Sequence, residues 1–400
     1  MKTYLIVGGH DESFSYIKNM DVEFVIIQIP QMLGEQQKSI AKCIKIVECL
    51  DLESVLKETK KLHVKYKIDY IFSFTENGLL PAANAAKNLN IPGIDFESCL
   101  LCRDKEKLRE YLKNSIFEVP AKVCSNELDI KSFYKVINGP LVLKDSLGSG
   151  SKDVYICPDY KEAILALHKL RGSGCNRALA EKFLNGTEFS IETMTINGHH
   201  ECLGITQKIL YKNTVIERQH IYPAQNMSKQ LENKLKKFSL ELLDYINHKH
   251  GPCHIEVITN DDSISLVEIN NRGGGDFIWQ MVLLVSGVDV IRETLNYAYN
   301  NNYDNTNISN KIKYKVMSSI GLFASIALKD LKYDISSLCD IVRFNCNNTQ
   351  RNNYNISNSW DRFGFLVIGS KDINEFNKNI LKINKLINEA EEKYLTECKI

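Results

Sequence analysis

The stretch LVEINNRGGGDF, residues 266 to 277, ends an apolar strand-like run in Glu268, Asn270, Arg272 and three glycines. Twelve residues before Glu268, the run CHIEV carries Glu256, and the intervening NDDS reads as a turn that sets the two acids side by side on neighbouring strands. Carboxylates held that close repel unless a cation lies between them. With the carboxamide oxygen of Asn270 they form a set of hard oxygen donors suited to Mg²⁺ that also holds phosphates. Arg272 lies two residues beyond Asn270, so an extended chain points both the same way, and a guanidinium there can grip an anion with two bonds. The competing reading is a pair of surface strands with solvated acids.

Two earlier stretches carry complementary chemistry. In GPLVLKDSLGSGSKDV a strand delivers Lys144, and the loop that follows holds Ser149, Gly150 and Ser151. Glycines allow backbone to approach a phosphate, serine and N–H groups donate to it, and lysine offsets its charge. The lysine precedes the glycines, so this is not the GxxxxGK[ST] order, and a flexible hairpin with a snorkelling lysine is the alternative. In AEKFLNGTEFSIE an apolar strand end (Glu181, Lys182, Phe183, Leu184) turns at Asn185 and Gly186 and then presents Glu188. Backbone groups at such a turn can meet a purine edge and the later carboxylate can accept two ribose hydroxyls, although an exposed hairpin with solvated charges fits as well. Taken in order, the three pieces describe a nucleotide held between two β-rich lobes with its triphosphate on magnesium.

The elements that must position these groups follow from pattern. Residues 1 to about 110 alternate short apolar strands (TYLIVGG, EFVIIQIP, IDYIFSF) with helical segments, which predicts a parallel α/β sheet; VGGHDES lacks the GxGxxG of a dinucleotide site. From 139 the texture is antiparallel, with a hairpin at TING and an amphipathic helix, NKLKKFSLELLDYINH, whose stripe is Leu235, Phe238, Leu242 and Tyr245/Ile246. Two Asn-rich stretches, 299–311 and 344–360, read as surface connections, and the strand-like SSIGLFASIAL and FGFLVIGS with a final helix suggest a small α+β unit over 311–400.

Fifty Lys and Arg against forty-nine Asp and Glu leave no bulk attraction to nucleic acid or an anionic membrane, so any anion site must be local. No apolar run is long enough to span a bilayer and the start has no signal-peptide core, which predicts a cytoplasmic protein. Twelve irregularly spaced cysteines then read as reduced thiols; Cys99 and Cys102 make a CxxC with no second pair.

With these motifs in this order, the chain resembles the ATP-grasp superfamily over most of its length. The resemblance implies an ATP-grasp fold of mixed α/β and α+β class: a pre-ATP-grasp parallel α/β domain (1–112), a small lobe (113–196), a large lobe (197–310), the two lobes clamping ATP, and a C-terminal α+β domain (311–400). It implies that Lys105 and Lys144 contact phosphate, that Glu181 and Lys182 lie near the adenine with Leu184 giving a backbone contact, and that Glu188 takes the ribose. It makes Glu256, Glu268 and Asn270 ligands of Mg²⁺, or of Mn²⁺ in its place. Arg272 becomes the catalytic arginine for an acylphosphate, and His220, His254, Gly274 and Asp276 become substrate-pocket candidates. Biotin carboxylases carry a catalytic glutamate shortly after this arginine, where this chain has GGGDFI. The nearer likeness is to ligases that join an amino-acid carboxylate to an amine. The expected partners are a small amino acid and an amine, with a homodimer as a frequent state of such proteins. Rival readings are loading of an amino acid onto an acyl-carrier protein, ligation of a nucleotide precursor, and a non-catalytic ATP-binding regulator.

Overall fold

The computed structural model describes residues 1–211, 214–260, 263–300, 312–326, 331, 334–347 and 356–397. Its first sheet is built from β1 (Lys2–Val7), β2 (Val22–Gln28), β3 (Ala41–Ile46) and β4 (Tyr70–Phe72), in the order β3-β2-β1-β4. All three pairings are parallel. Helix α1 (Glu35–Ile40) joins β2 to β3, α2 (Leu52–Tyr66) joins β3 to β4, and α3 (Glu76–Leu89) follows β4. Tyr4 to Val7 and Val25 to Ile27 are wholly buried, which explains why the strands read as unbroken apolar runs. In open parallel sheets the crevice beyond the carboxyl ends of the strands is where ligands bind, and Glu76 opens α3 there, just after β4.

Helices α4 (Phe96–Arg103) and α5 (Lys105–Tyr111) follow. Asp104 ends one and caps the other, its side chain accepting from the amides of Glu106 and Lys107. Such a cap stabilises a helix by about 1 kcal/mol and here fixes Lys105 in the first turn of α5.

The second sheet holds β5 (Ala121–Cys124), β6 (Leu141–Asp145), β7 (Val154–Cys157) and β8 (Ala178–Lys182) in the order β5-β8-β6-β7, with α6 (Glu127–Ile137) after β5 and α7 (Tyr160–Gly172) after β7. Leu141, Leu143, Ala178 and Ala180 pack under these helices with Ile130, Phe133, Ala163 and Leu167. Side chains alternate across a strand, so Lys144 and Glu181 fall on the opposite face.

The third sheet is formed by β9 (Thr187–Ile196), β10 (His199–Leu210), β11 (Glu217–Tyr222), β12 (Gly251–Asn260), β13 (Ser263–Asn270), β14 (Val316–Leu322), β15 (Asp340–Cys346) and β16 (Gly364–Ser370). Its order is β13-β12-β9-β10-β11-β14-β16-β15, with every pairing antiparallel. Helix α8 (Lys229–Tyr245) covers one face, packing Leu235, Leu242 and Leu243 on Phe189, Ile191, Ile255 and Val257. The same period-2 alternation sends Glu188, Ser190 and Glu192 of β9, and His254 and Glu256 of β12, to the other face. Helices α9 (Ile278–Ser286) and α10 (Val290–Asn300) follow β13, and α11 (Ile373–Glu397) ends the chain.

The sequence places β9 in the small-lobe stretch and β14 to β16 in a separate C-terminal stretch, yet all four strands hydrogen-bond within this one sheet. Strand β15, in the low-contrast run DIVRFNC, is absent from the sequence reading. On α8, Leu243 and Ile246 are buried while Tyr245 stays 43% exposed, a rotation of the expected stripe. The TING turn is a two-residue hairpin with Asn197 and Gly198 both at positive φ (53° and 76°), the geometry that matches strand twist. The tip of the NDDS turn (261–262) and most of both Asn-rich stretches (301–311 and 348–355) lie outside the described residues. No helix among the described residues is long and apolar enough to cross a membrane.

Candidate active site

The polar faces of the second and third sheets and the start of α5 bring the sequence-selected residues together. Lys105 Nζ donates to the carbonyl of Gly148 at 2.8 Å and lies 3.3 Å from Glu268 Oε2. One buried ammonium thus touches both the glycine loop and a metal-type carboxylate. Lys144 Nζ is 2.6 Å from Glu181 Oε2, and Arg109 Nε is 2.7 Å from Glu181 Oε1. Burial pushes the Glu181 carboxyl up, but Arg109 and Lys144 outweigh it and hold its pKa at about 2. Two cations share that single carboxylate, so Lys144 sits below the ordinary lysine value, through burial and then the nearby Arg109 and Lys105, against the pull of Glu181.

Glu181, expected near the adenine, is 5% exposed with both oxygens already paired, because Arg109 of α5 reaches across to it beside Lys144. At the same hinge Lys182 N–H donates to Pro120 O and Phe183 N–H to Pro140 O. The Leu184 amide follows them with no partner among the described residues, as a hinge donor needs.

Glu256 and Glu268 are directly paired across β12 and β13, and His254 pairs with Asn270. Asn270 Nδ2 donates to Glu268 Oε1 at 3.2 Å, which leaves its carbonyl oxygen available. Among the described residues no group of three or more His, Cys, Asp or Glu is arranged to hold a metal. Two carboxylates and one carboxamide do fit a magnesium ion that takes its remaining oxygens from phosphate and water.

Lys208 of β10, unremarked in the sequence, lies at the centre of this face. Its side chain is 1% exposed, with Nζ 2.8 Å from Glu188, 2.8 Å from Glu256 and 3.6 Å from Glu217. Burial alone would favour the neutral amine, but the three acids drive its pKa well above the ordinary value. One lysine cannot satisfy three acids: Glu256 is held well below the usual carboxylate range by Lys208 and His254 in spite of burial, whereas burial and the neighbouring Glu256 and Glu217 raise Glu188. Excess negative charge in a dry setting is what draws a divalent cation.

His254 is gripped on both ring nitrogens, Nδ1 at 3.0 Å from both Glu192 oxygens and Nε2 at 3.0 Å from Glu256 Oε1. Burial lowers its pKa, but Glu192 and Glu256 more than offset this and raise it to about 9, so the ring is a buried cation at neutral pH. Glu192 itself was missed because an acid inside SIETMT looks like any outward-facing strand residue.

Arg272 donates from Nη2 to Glu76 Oε2 at 2.9 Å, and Arg103 Nη1 lies 3.1 Å from the other Glu76 oxygen. Helix α3 thereby fixes the arginine that the resemblance assigns to an acylphosphate. Beyond it the glycines make room for packing. A Cβ at Gly273 would sit 2.9 Å from Trp279, and one at Gly274 would sit 2.8 Å from His254 Nδ1 and Ile278, so these two are bare to let the loop lie on α9 and His254. Gly275 alone faces open space. Asp276 and Phe277 follow at φ 50° and 65°, a left-handed pair costing on the order of 1–3 kcal/mol each that surrounding contacts must offset. Asp276 Oδ2 accepts from His220 Nε2 at 3.1 Å and Arg362 Nη1 at 2.7 Å. The Phe277 ring meets Phe365 edge-on at 5.4 Å and carries the Arg343 guanidinium 4.7 Å above it.

The glycine loop also meets the C-terminal stretch. Ser359 N–H donates to Gly150 O at 3.0 Å, Ser151 Oγ donates to Val215 O at 3.2 Å, and a Cβ at Gly150 (φ 65°) would lie 2.7 Å from the Trp360 indole nitrogen. Ser149 accepts only a long contact, from Lys152 N–H at 3.4 Å.

This geometry coincides with what comparison with known proteins finds. A model of the ATP-grasp domain matches residues 137–280, and a model of the ATP-grasp N-terminal domain matches 22–93. The chain belongs to the ATP-grasp superfamily. It is similar to dapdiamide A synthase of Enterobacter agglomerans, 24% identical over 61% of this chain and 59% of that protein. It is similar as well to the L-arginine-specific L-amino acid ligase of Bacillus subtilis, 24% identical over 58% of this chain and 57% of that one. The match thus spans little more than half the length of these relatives. In structure it resembles an L-amino acid ligase from Bacillus licheniformis, with a TM-score of 0.78 at 20% identity over 96% of this chain and 97% of the other. N5-carboxyaminoimidazole ribonucleotide synthetases and biotin carboxylases share the ATP-grasp fold with it.

Proposed function

We propose that this ATP-grasp protein is an ADP-forming carboxylate–amine ligase that activates an amino acid and joins it to an amine. The observation that carries the reading is Lys105, whose ammonium touches the Gly148 carbonyl of the glycine loop and Glu268 of the metal strands at once. A triphosphate laid along that line would run from the glycine loop toward Glu268, whose strand partner Glu256 is held by Lys208 and whose strand leads on to Arg272. A substrate carboxylate oxygen attacks the γ-phosphorus, ADP leaves, and an acylphosphate forms. The amine nitrogen then attacks the acyl carbon, phosphate leaves with the C–O bonding pair, and the nitrogen loses a proton.

Glu256, Glu268 and Asn270 would hold the magnesium, which when bound offsets charge between the phosphates. The chain's own contribution is positioning and fixed charge: Lys105 and Lys144 on the phosphates, and Arg272, held in place by Glu76, on the carboxylate and the oxyanion that follows. Glu188 faces the same side for the ribose, Leu184 offers its amide to the purine, and His220, His254 and Asp276 border the substrate. The similarity to the L-arginine-specific L-amino acid ligase supports the choice of substrate class.

Trapping with hydroxylamine across the twenty amino acids tests this, since a hydroxamate reports the activated carboxylate whatever the natural acceptor. Mg²⁺-dependent hydroxamate and ADP with at least one amino acid are expected; neither product with any of them would overturn the proposal.

A further inference from the structure

The loop after Arg272 ends in a carboxylate whose two oxygens have different surroundings. Asp276 Oδ2 is pinned by His220 Nε2 and Arg362 Nη1, while Oδ1 accepts no hydrogen bond among the described residues and the side chain keeps 24% of its exposure. The adjoining Gly275 opens onto empty space, since an added Cβ there would meet nothing within 4 Å. Lys208, which contacts Glu256, is among the charges that depress the Asp276 carboxyl, so the aspartate lies within electrostatic reach of the metal strands.

Arg362 is built for this task. Its side chain is 5% exposed and lies across Gly321 of β14, where a Cβ would come within 2.9 Å of its Cδ. Its other nitrogen, Nη2, donates to Glu217 O at 2.7 Å and to Glu217 Oε2 at 3.1 Å. A fork anchored at three acceptors cannot swing, so it fixes Oδ2 and with it the direction of Oδ1. His220 Nδ1 and Arg362 Nε, the remaining side-chain nitrogens of the two groups that hold Oδ2 apart from Arg362 Nη2, are buried without a hydrogen-bond partner among the described residues.

We propose that Asp276 Oδ1 receives the protonated amino group of the substrate whose carboxylate Arg272 holds, and that Arg362, from the C-terminal stretch, is the positioning residue that sets this specificity. The inference rests on the ligase reading. A free amino acid carries an anion and a cation two bonds apart, and the loop from Arg272 to Asp276 offers a cation and an anion joined by three glycines. An N-acylated acid lacks the charge for Oδ1 and leaves it facing an uncharged amide.

The test compares the best substrate among the twenty L-amino acids with its N-acetyl derivative, by hydroxamate formation in the wild type, Asp276→Asn, Arg362→Gln and Arg362→Lys. Asparagine tolerates the left-handed backbone at 276, so that variant keeps the loop. The wild type is expected to prefer the free amino acid by about 100-fold or more, and Asp276→Asn to raise its KM by about tenfold or more with kcat far less affected. Arg362→Gln loses the same preference without touching substrate, and Arg362→Lys recovers part of it, whereas the affinity for ATP, measured by calorimetry, stays level in all three. No hydroxamate from the wild type with any amino acid overturns the ligase reading and this inference together. Hydroxamate from the wild type, with a preference for the free amino acid that survives in Asp276→Asn or Arg362→Gln, overturns this inference alone.

Discussion

Glu76 Oε2 and Arg272 Nη2 lie 2.9 Å apart although 196 residues separate them in the chain. Burial pushes the Glu76 carboxyl up, but Arg272 and Arg103 together hold it below the ordinary carboxylate value, so it stays anionic. Helix α3 contributes to the site through this carboxylate, which keeps a long guanidinium from searching its rotamers. Replacing Glu76 by Gln leaves a neutral hydrogen bond in place of a charge-assisted one, and KM for the amino acid should rise by about tenfold. Calorimetry of ATP binding should show no matching loss; an equal loss there would reduce Glu76 to a general folding role.

Two buried carboxylates should respond to pH in opposite directions. Glu181 has a folded pKa of about 2 against an ordinary 4.5, so its contribution is complete above 4.5 and disappears as pH falls toward 2. Its loss in Glu181→Gln should cost on the order of 3 kcal/mol at neutral pH, with the gap to wild type closing through that acid window. Glu188 is raised instead, so its ionisation opposes folding above its folded pKa. Glu188→Gln should thus gain stability at neutral pH and match wild type below about 4, while ATP binding weakens. Urea titrations at several pH values measure both, and a destabilised Glu188→Gln at neutral pH would refute the reading of one lysine shared among three acids.

The contact of the glycine loop with the C-terminal stretch predicts a separable effect. Gly150 combines a positive φ of 65° with an indole nitrogen 2.7 Å from where a Cβ would be. Gly150→Ala must shift the loop off Trp360, and KM for ATP should rise by about tenfold. Trp360→Ala removes a ring that is 68% exposed, so its melting temperature should hold while KM for ATP rises several-fold. A Trp360→Ala enzyme with wild-type ATP kinetics would show that the contact does no work in binding.

Pattern made part of this site legible and hid the rest for a physical reason. Glu256 and Glu268 could be read as neighbours because a short turn joins two strands of unmistakable apolar character, and their register in the sheet is the one expected. Lys144 could be read because a lysine at the end of an apolar strand, with a glycine loop behind it, is locally unusual. Lys208, Glu192, Arg109 and Arg362 have no such local mark; each sits in a run whose neighbours are ordinary, and each takes a decisive partner at least twenty residues away. The glycines after Arg272 are hidden for a related reason, since Gly273 and Gly274 are bare on account of Trp279, His254 and Ile278, contacts set by the way α9 packs.

Glu268 offers the sharpest test of the metal assignment. It is paired with Glu256 across the strands, touched by Lys105 at 3.3 Å and by Asn270 Nδ2 at 3.2 Å, so its isosteric replacement by Gln keeps the acceptor for Asn270 while the charge and the acceptor facing Lys105 are lost. The fold should tolerate that change, because removing one of several crowded acids relieves repulsion as much as it loses attraction. Turnover should not tolerate it: hydroxamate formation is expected to fall by about 100-fold or more, the scale for one electrostatic contact to a reacting phosphoryl group. The decisive measurement is the Mg²⁺ dependence of the residual rate beside the circular dichroism melt. A lowered rate with an unchanged melt and a half-saturating Mg²⁺ concentration moved upward places Glu268 on the metal, while a normal rate removes it from the site.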